Sequence, residues 1–252
     1  MKYTFKQIVE SLPAKKNSNS SLWVKMLIRK LSFPFTWLFI NLGFSANMVS
    51  VVSILVAIGG CFLCLFTRRT AVLIGILLIN FWLVLDCVDG NIARVKGHKT
   101  VFGEFVDDIG GYYIEALSYF ALSVCAYHMG GILFPERSEL IVLLGTLSSI
   151  INILARLIYK DYCHFAIHAE KTMQEQYTVD DRHSLYYIRN RVSKELGISG
   201  AFMPLTFFCF YTNSFDLFTV FYFLFNGFAL LSTTVIYIYK GDKYDRDRIN
   251  NH

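Results

Sequence analysis

Uncharged stretches dominate this chain. No Asp, Glu, Lys or Arg occurs between Leu31 and Thr67, and long apolar runs follow at 70–93, 103–127, 140–155, 196–215 and 217–239. A bilayer core takes roughly 20 apolar residues per helix. The run from 31 to 67 is too long for one helix, and Pro34, Asn41, Gly43 and Asn47 interrupt its first part. The pattern predicts an all-α, polytopic integral membrane protein with six transmembrane helices, at 47–66, 70–93, 103–127, 140–155, 196–215 and 217–239. An N-terminal interfacial amphipathic helix is expected within 20–43, where Trp23, Leu27 and Leu31 are interspersed with Lys25, Arg29 and Lys30, as suits a helix lying on a membrane surface. The expected organisation is a cytoplasmic or interfacial segment over 1–44, a six-helix transmembrane domain over 45–240 and a cytoplasmic tail over 241–252. Residues 156–195 read as a polar connection.

Composition agrees with the pattern. Hydrophobic residues make up 54% of the chain and charged residues 17%, against about 25% charged in a soluble domain. The net charge of +5 follows topology. With six spans and both termini inside, 21 Lys and Arg lie on the inner side and only Arg68, Arg69 and Arg137 on the outer. That bias sets an N-in, C-in orientation and accounts for the basic balance without nucleic-acid binding. The expected setting is a bacterial cell membrane. The six cysteines fall mostly in apolar runs and read as buried hydrophobes, not as a disulfide framework.

Carboxylates inside spans are costly, and they mark function. Asp86 and Asp89 are three apart on the second predicted span, with Gly90 and Ala93 on or beside the same face and Arg94 next in sequence. The third span starts on the same side, and Gly103, Asp107 and Gly111 recur at intervals of four. Three acids converging at one depth repel unless a cation neutralises them. Their hard oxygens favour Mg²⁺, Mn²⁺ or Ca²⁺ over zinc. The glycines admit a polyphosphate close to the backbone, and Arg94 offers a fork suited to phosphate oxygens. The expected chemistry is phosphoryl transfer at the inner membrane surface.

The string Asp86-x2-Asp89-Gly90-x2-Ala93-Arg94-x8-Gly103-x3-Asp107 resembles the signature of the CDP-alcohol phosphotransferases, also called CDP-alcohol phosphatidyltransferases. Ser45-Ala46-Asn47-x2-Ser50 is similar to the Thr-Pro-Asn-x2-Thr segment of that family. The resemblance implies that Asp86, Asp89 and Asp107 hold Mg²⁺ or Mn²⁺. It implies further that Asn47, Gly90, Ala93, Arg94, Thr100 and Gly103 touch the CDP-linked donor. The implied reaction is attack of an acceptor hydroxyl on the β-phosphorus of a CDP-alcohol, with CMP leaving. The donor is expected to be CDP-diacylglycerol, as in phospholipid biosynthesis; a soluble CDP-alcohol with a lipid or glycan-carrier acceptor is the alternative. The resemblance also makes a homodimer an expected assembly.

The chain departs from the signature at one position. The last aspartate of the family, its general base, falls at Gly111. Three substitutes stay open. Asp108 adjoins Asp107 but points about 100° away on an ideal helix. Glu115 lies one turn beyond Gly111 on the same face and leans back toward the helix start. Otherwise no dedicated base exists, and metal or substrate phosphate activates the acceptor. A catalytically impaired homologue that binds lipid or nucleotide is the rival reading. Asn152 and Arg156, four apart and near the inner end of the fourth predicted span, are the expected acceptor-binding residues.

Overall fold

The structure, a computed structural model, describes residues 3–97, 100–169 and 185–250. Among these residues there are helices and turns and no strand. Thr4 caps α1 (Phe5–Glu10) in a reciprocal box with Gln7, and α2 (Ala14–Ser18) follows. A π-helical turn, Val24–Ile28, runs into α3 (Arg29–Asn41). The long helices are α4 (Ala46–Leu63), α5 (Arg69–Lys96), α6 (Val101–Met129) and α7 (Glu139–Ala169). After α8 (Leu185–Leu196), a π-helical turn at Ile198–Phe202 leads to α9 (Met203–Thr212) and α10 (Phe215–Asn250).

Five helices among the described residues are long and apolar enough to cross a membrane: Ala46–Leu63, Arg69–Lys96, Val101–Met129, Glu139–Phe165 and Phe215–Lys243. The stretch expected as another span, 196–215, falls short of that length. Gly200 has non-helical backbone angles, and the following α9 has only 10 residues. The fourth expected span, by contrast, does not stop at 155. Nothing between 156 and 169 breaks a helix, and α7 continues through the first part of the expected polar connection; residues 170–184 of that connection lie outside the described ones. Likewise α10 runs on past 240.

Packing is serial. α5 lies against α3 and α4, α4 also against α6, and α7 fits between α6 and α10. The α4–α5 contact is a backbone contact. A Cβ on Gly75 would come within 2.6 Å of the Gly60 carbonyl oxygen and 2.7 Å of Cys64 Sγ. Small residues are what permit such an approach between helices in lipid. At the far end Asp216 accepts hydrogen bonds from the backbone N–H of Leu133 (2.5 Å) and Phe134 (3.0 Å), tying the start of α10 to the α6–α7 loop.

The outer surface is apolar where a soluble protein is polar. Leu224, Phe228, Leu231, Val235 and Ile238 make a stripe along α10, each at least 63% exposed, and Leu143, Ile150, Leu154 and Leu157 do the same on α7. Contiguous exposed apolar area of this kind needs lipid or a partner. With five apolar helices carrying it, the protein is membrane-embedded.

The Gly60–Gly75 contact sets a stability test. Gly75→Val must push α4 and α5 apart, an overpacking cost of about 1–3 kcal/mol, seen as a lower unfolding midpoint in detergent. An unchanged midpoint would mean that the two backbones do not touch there.

Candidate active site

Three helix ends meet at the site, and local sequence fixes each one. α5 carries Asp86, Asp89, Gly90 and Ala93 toward its end and stops at Gly97, whose φ of +67° is left-handed and favours glycine. A short connection leads to Thr100, whose hydroxyl caps α6 by accepting from Gly103 N–H at 3.0 Å. Ser45 caps α4 in the same manner through Met48 N–H at 3.2 Å. Side chains then join the ends. Ser50 of α4 donates to Asp89 Oδ2 at 2.5 Å, Lys96 of α5 donates to the Phe44 carbonyl at 2.9 Å, and Thr100 lies 3.5 Å from Asn47 Oδ1.

These contacts enclose a pocket of about 250 Å³ lined by Asp86, Asp89, Gly90, Ala93 and Arg94 from α5, and by Gly103, Glu104 and Asp107 from α6. Ala46, Asn47 and Ser50 of α4, with Thr100 and Lys16, complete the wall. All the residues expected to touch metal or donor therefore face one cavity. Asp89 is buried, Asp86 is half-buried and Asp107 is exposed. Asp86 and Asp107 face each other across the α5–α6 gap, lining the same pocket. Like-charged carboxylates gathered in one pocket repel unless a cation offsets their charge. The donor set is all hard oxygen, which suits a divalent cation such as Mg²⁺ or Mn²⁺. The aspartates flank the pocket without closing around a point: no group of three His, Cys, Asp or Glu forms a ready metal cage among the described residues.

The remaining expected residues lie elsewhere. Asp108, Glu115, Asn152 and Arg156 do not line the pocket. Arg156 of α7 reaches across to α6, donating to Glu115 Oε1 at 2.8 Å and to Asp108 Oδ1 at 3.1 Å, and its guanidinium lies 4.3 Å from the centre of the Tyr112 ring. Lys160 adds a 2.5 Å contact to Asp108 Oδ2. Both candidate bases are thus engaged by cations. The guanidinium fills the space left by Gly111, where a Cβ would stand 2.5 Å from Arg156 Nη1. At Gly111 this chain has room for an arginine.

Sequence reasoning missed Ser50 as the partner of Asp89, although its place three residues after Asn47 on a capped helix was a usable signal. It also missed Glu104 and Lys16. Lys16 carries no local signal at all. Desolvation, then the neighbouring Arg94 and Arg29 charges, hold its ammonium below the ordinary lysine value.

The sequence profile of the CDP-alcohol phosphatidyltransferases matches residues 44–188, more than half of the chain. The chain belongs to that family. No curated protein matches it individually. CDP-alcohol phosphatidyltransferases move a phospho-alcohol group from a CDP-alcohol, so this one is a transferase of substituted phosphate groups. The match takes in α4, α5, α6 and α7, the helices that carry every aspartate of the pocket.

The Arg156 placement predicts coupling between positions 111 and 156. Gly111→Ala must displace the guanidinium in the native chain and meets free space in an Arg156→Ala background. A double-mutant cycle on unfolding midpoints should give about 0.5–3 kcal/mol of interaction; strictly additive effects would place Arg156 away from Gly111.

Proposed function

We propose that this CDP-alcohol phosphatidyltransferase is metal-dependent and moves the phosphatidyl group of CDP-diacylglycerol to the hydroxyl of an acceptor, releasing CMP, from a site that opens to the cytoplasm. The observation that carries the reading is the pocket shared by Asp86, Asp89 and Asp107 with Asn47, Arg94, Thr100 and Gly103. A lipid-linked donor is favoured by the rim. Val101, Phe102 and Phe105, on the same first turns of α6 as Gly103 and Glu104, are 88%, 57% and 60% exposed. Apolar side chains beside an acidic and basic pocket suit a molecule with acyl chains at one end and a nucleotide at the other.

Orientation follows from the 21-to-3 distribution of Lys and Arg. Six passes fit it if the α9 segment makes a short one. Ser21 donates to the Ser199 carbonyl at one end of that segment, and Arg69 donates to the Phe210 carbonyl at the other.

The acceptor oxygen bonds to the β-phosphorus, and the bond from that phosphorus to the bridging oxygen breaks, so CMP leaves with the bridging oxygen. Asp86, Asp89 and Asp107 would hold a divalent cation, which when bound offsets charge on the bridging and leaving oxygens. Ser50 fixes the Asp89 carboxylate, Arg94 presents its guanidinium to phosphate oxygens, and the close packing of Gly103 on Asn47 and Thr100 shapes the donor wall. With Asp108 and Glu115 held by Arg156 and Lys160, the acceptor proton passes to a substrate phosphate oxygen instead of a dedicated carboxylate. Positioning supplies most of the acceleration, as is general in phosphoryl transfer.

Purified protein incubated with CDP-diacylglycerol, Mn²⁺ and a panel of polyol acceptors should release CMP only with metal present, and Asp89→Asn should abolish release. Asp108→Asn should lose less than about tenfold, because loss of a true general base costs about 10²–10⁴-fold. Release only from soluble CDP-alcohols would replace the donor. Metal-dependent nucleotide binding without CMP from any acceptor would identify a non-catalytic homologue.

A further inference from the structure

Lys16 belongs to none of the elements matched by the family profile, which begins at residue 44, yet it lines the same pocket as the aspartates. The segment that carries it is fastened at both ends. Near its start, Tyr3 and Asn41 exchange hydrogen bonds of 3.3 and 3.2 Å, and Ile8 is fully buried where α1 packs on α3 and α5. Near its end, Ser20 accepts from Arg29 Nη2 at 2.5 Å and donates to the Lys16 carbonyl at 3.0 Å. Residues 3–20 are thus a strap laid over the inner end of α5, with Lys16 at the pocket wall.

The strap brings cations together. A Cβ on Gly90 would stand 3.3 Å from Arg94 Nη1 and 3.9 Å from Lys16 Nζ, so both charged heads lie over one glycine surface. Arg29, only 7% exposed, sits behind them, and its Nε has no hydrogen-bond partner; neither does Arg94 Nε. Lys16, Arg29 and Arg94 ion-pair with no carboxylate among the described residues. Like charges gathered over a bare glycine with unused donors call for an anion. Asp86, Asp89 and Asp107 line the same pocket, so the anion is one that also faces a cation-holding acid set.

We propose that Lys16 is a phosphate-contacting residue for the pyrophosphate of the CDP-linked donor, and that Arg29 is the positioning residue that holds it through Ser20. The proposal rests on the donor reading above and adds to it a contact from outside the matched region. Gly90 is what admits it: any side chain there would stand between the two cations and the phosphate oxygens.

Two measurements on the full-length protein with Mn²⁺ test it. In the first, lysines are acetylated with an amine-reactive reagent, and labelling at Lys16 is read by mass spectrometry with CDP, CMP or cytidine present. CDP should protect Lys16 and cytidine should not. Protection by CMP as well places the ammonium on the α-phosphate, and protection by CDP alone places it on the β-phosphate that is transferred; either supports the proposal. In the second, Lys16→Gln should weaken CDP binding and raise the donor KM about tenfold or more, the scale of one charge-assisted contact. Its cytidine affinity should stay within about threefold, and Lys16→Arg should recover most of the loss, which a merely structural role would not produce. Unchanged labelling with CDP bound, together with native CDP affinity in Lys16→Gln, overturns the proposal while metal-dependent CMP release leaves the donor reading standing. Native protein that neither binds CDP nor releases CMP overturns both.

Discussion

The arrangement turns on mutual repulsion among carboxylates that two helices force into one small space. Asp86 and Asp89 come from the end of α5 and Asp107 from the start of α6, and all three line one pocket. Charged acids at membrane depth cost several kcal/mol each unless they are paired. No lysine or arginine forms an ion pair with these three among the described residues. The fold instead surrounds them with what a bound cation and a polyphosphate would need: a hydroxyl from Ser50, an amide from Asn47, bare backbone at Gly90 and Gly103, and positive charge from Arg94 and Lys16. Acidic and basic groups thus line one pocket. A cation sits favourably against the first, and phosphate oxygens satisfy both.

Position 111 shows how a glycine on one helix makes room for a charge from the next. Gly111 leaves a gap on α6 facing α7, and a gap in a helix interface is filled or collapses. Here a guanidinium fills it and brings Asp108, Glu115 and Tyr112 into one cluster with Lys160. Those acids lie beside the motif in sequence but outside the pocket in space, since a helix turns its face within one residue. The three aspartates of the pocket stay apart from this cluster.

How much was legible in advance follows from how local each constraint is. Asp86, Asp89, Gly90, Ala93, Gly103 and Asp107 were legible because fixed spacing on two helices joined by a short connection leaves them little freedom to face elsewhere. Asn47 was legible through the resemblance of Ser45-Ala46-Asn47-x2-Ser50 to a segment of the family. Arg156 was seen as charged and near the inner surface, but its partners are 41 and 48 residues away, and nothing local distinguishes a guanidinium free for an acceptor from one used to join helices. Lys16 was invisible for the same reason in stronger form: the strap over α5 is specified by a buried Ile8, one asparagine and one serine. The span count suffered from a different weakness. Apolar run length does not register a π-helical turn or the backbone break at Gly200, which shorten the 196–215 segment, nor does it show that charges at 156–169 ride on an unbroken helix.

The position of the pocket along the helices is itself a chemical constraint. A CDP-lipid has a nucleotide that must stay in water and acyl chains that must stay in hydrocarbon, so its pyrophosphate is confined to the level where the two meet. Acids placed deeper would have to draw cytidine into the bilayer, and acids placed further out would have to lift the chains from it. In this protein the three aspartates lie within the last three turns of α5 and the first two of α6, beside the exposed Val101, Phe102 and Phe105. A water-side cover built from α5 and α6 alone would have to come from the connection between them, residues 97–100, which is short. A strap from before the first long helix supplies the cover without lengthening that connection. That is why a cation with no place in the spacing motif ends up against the same glycine as the motif arginine.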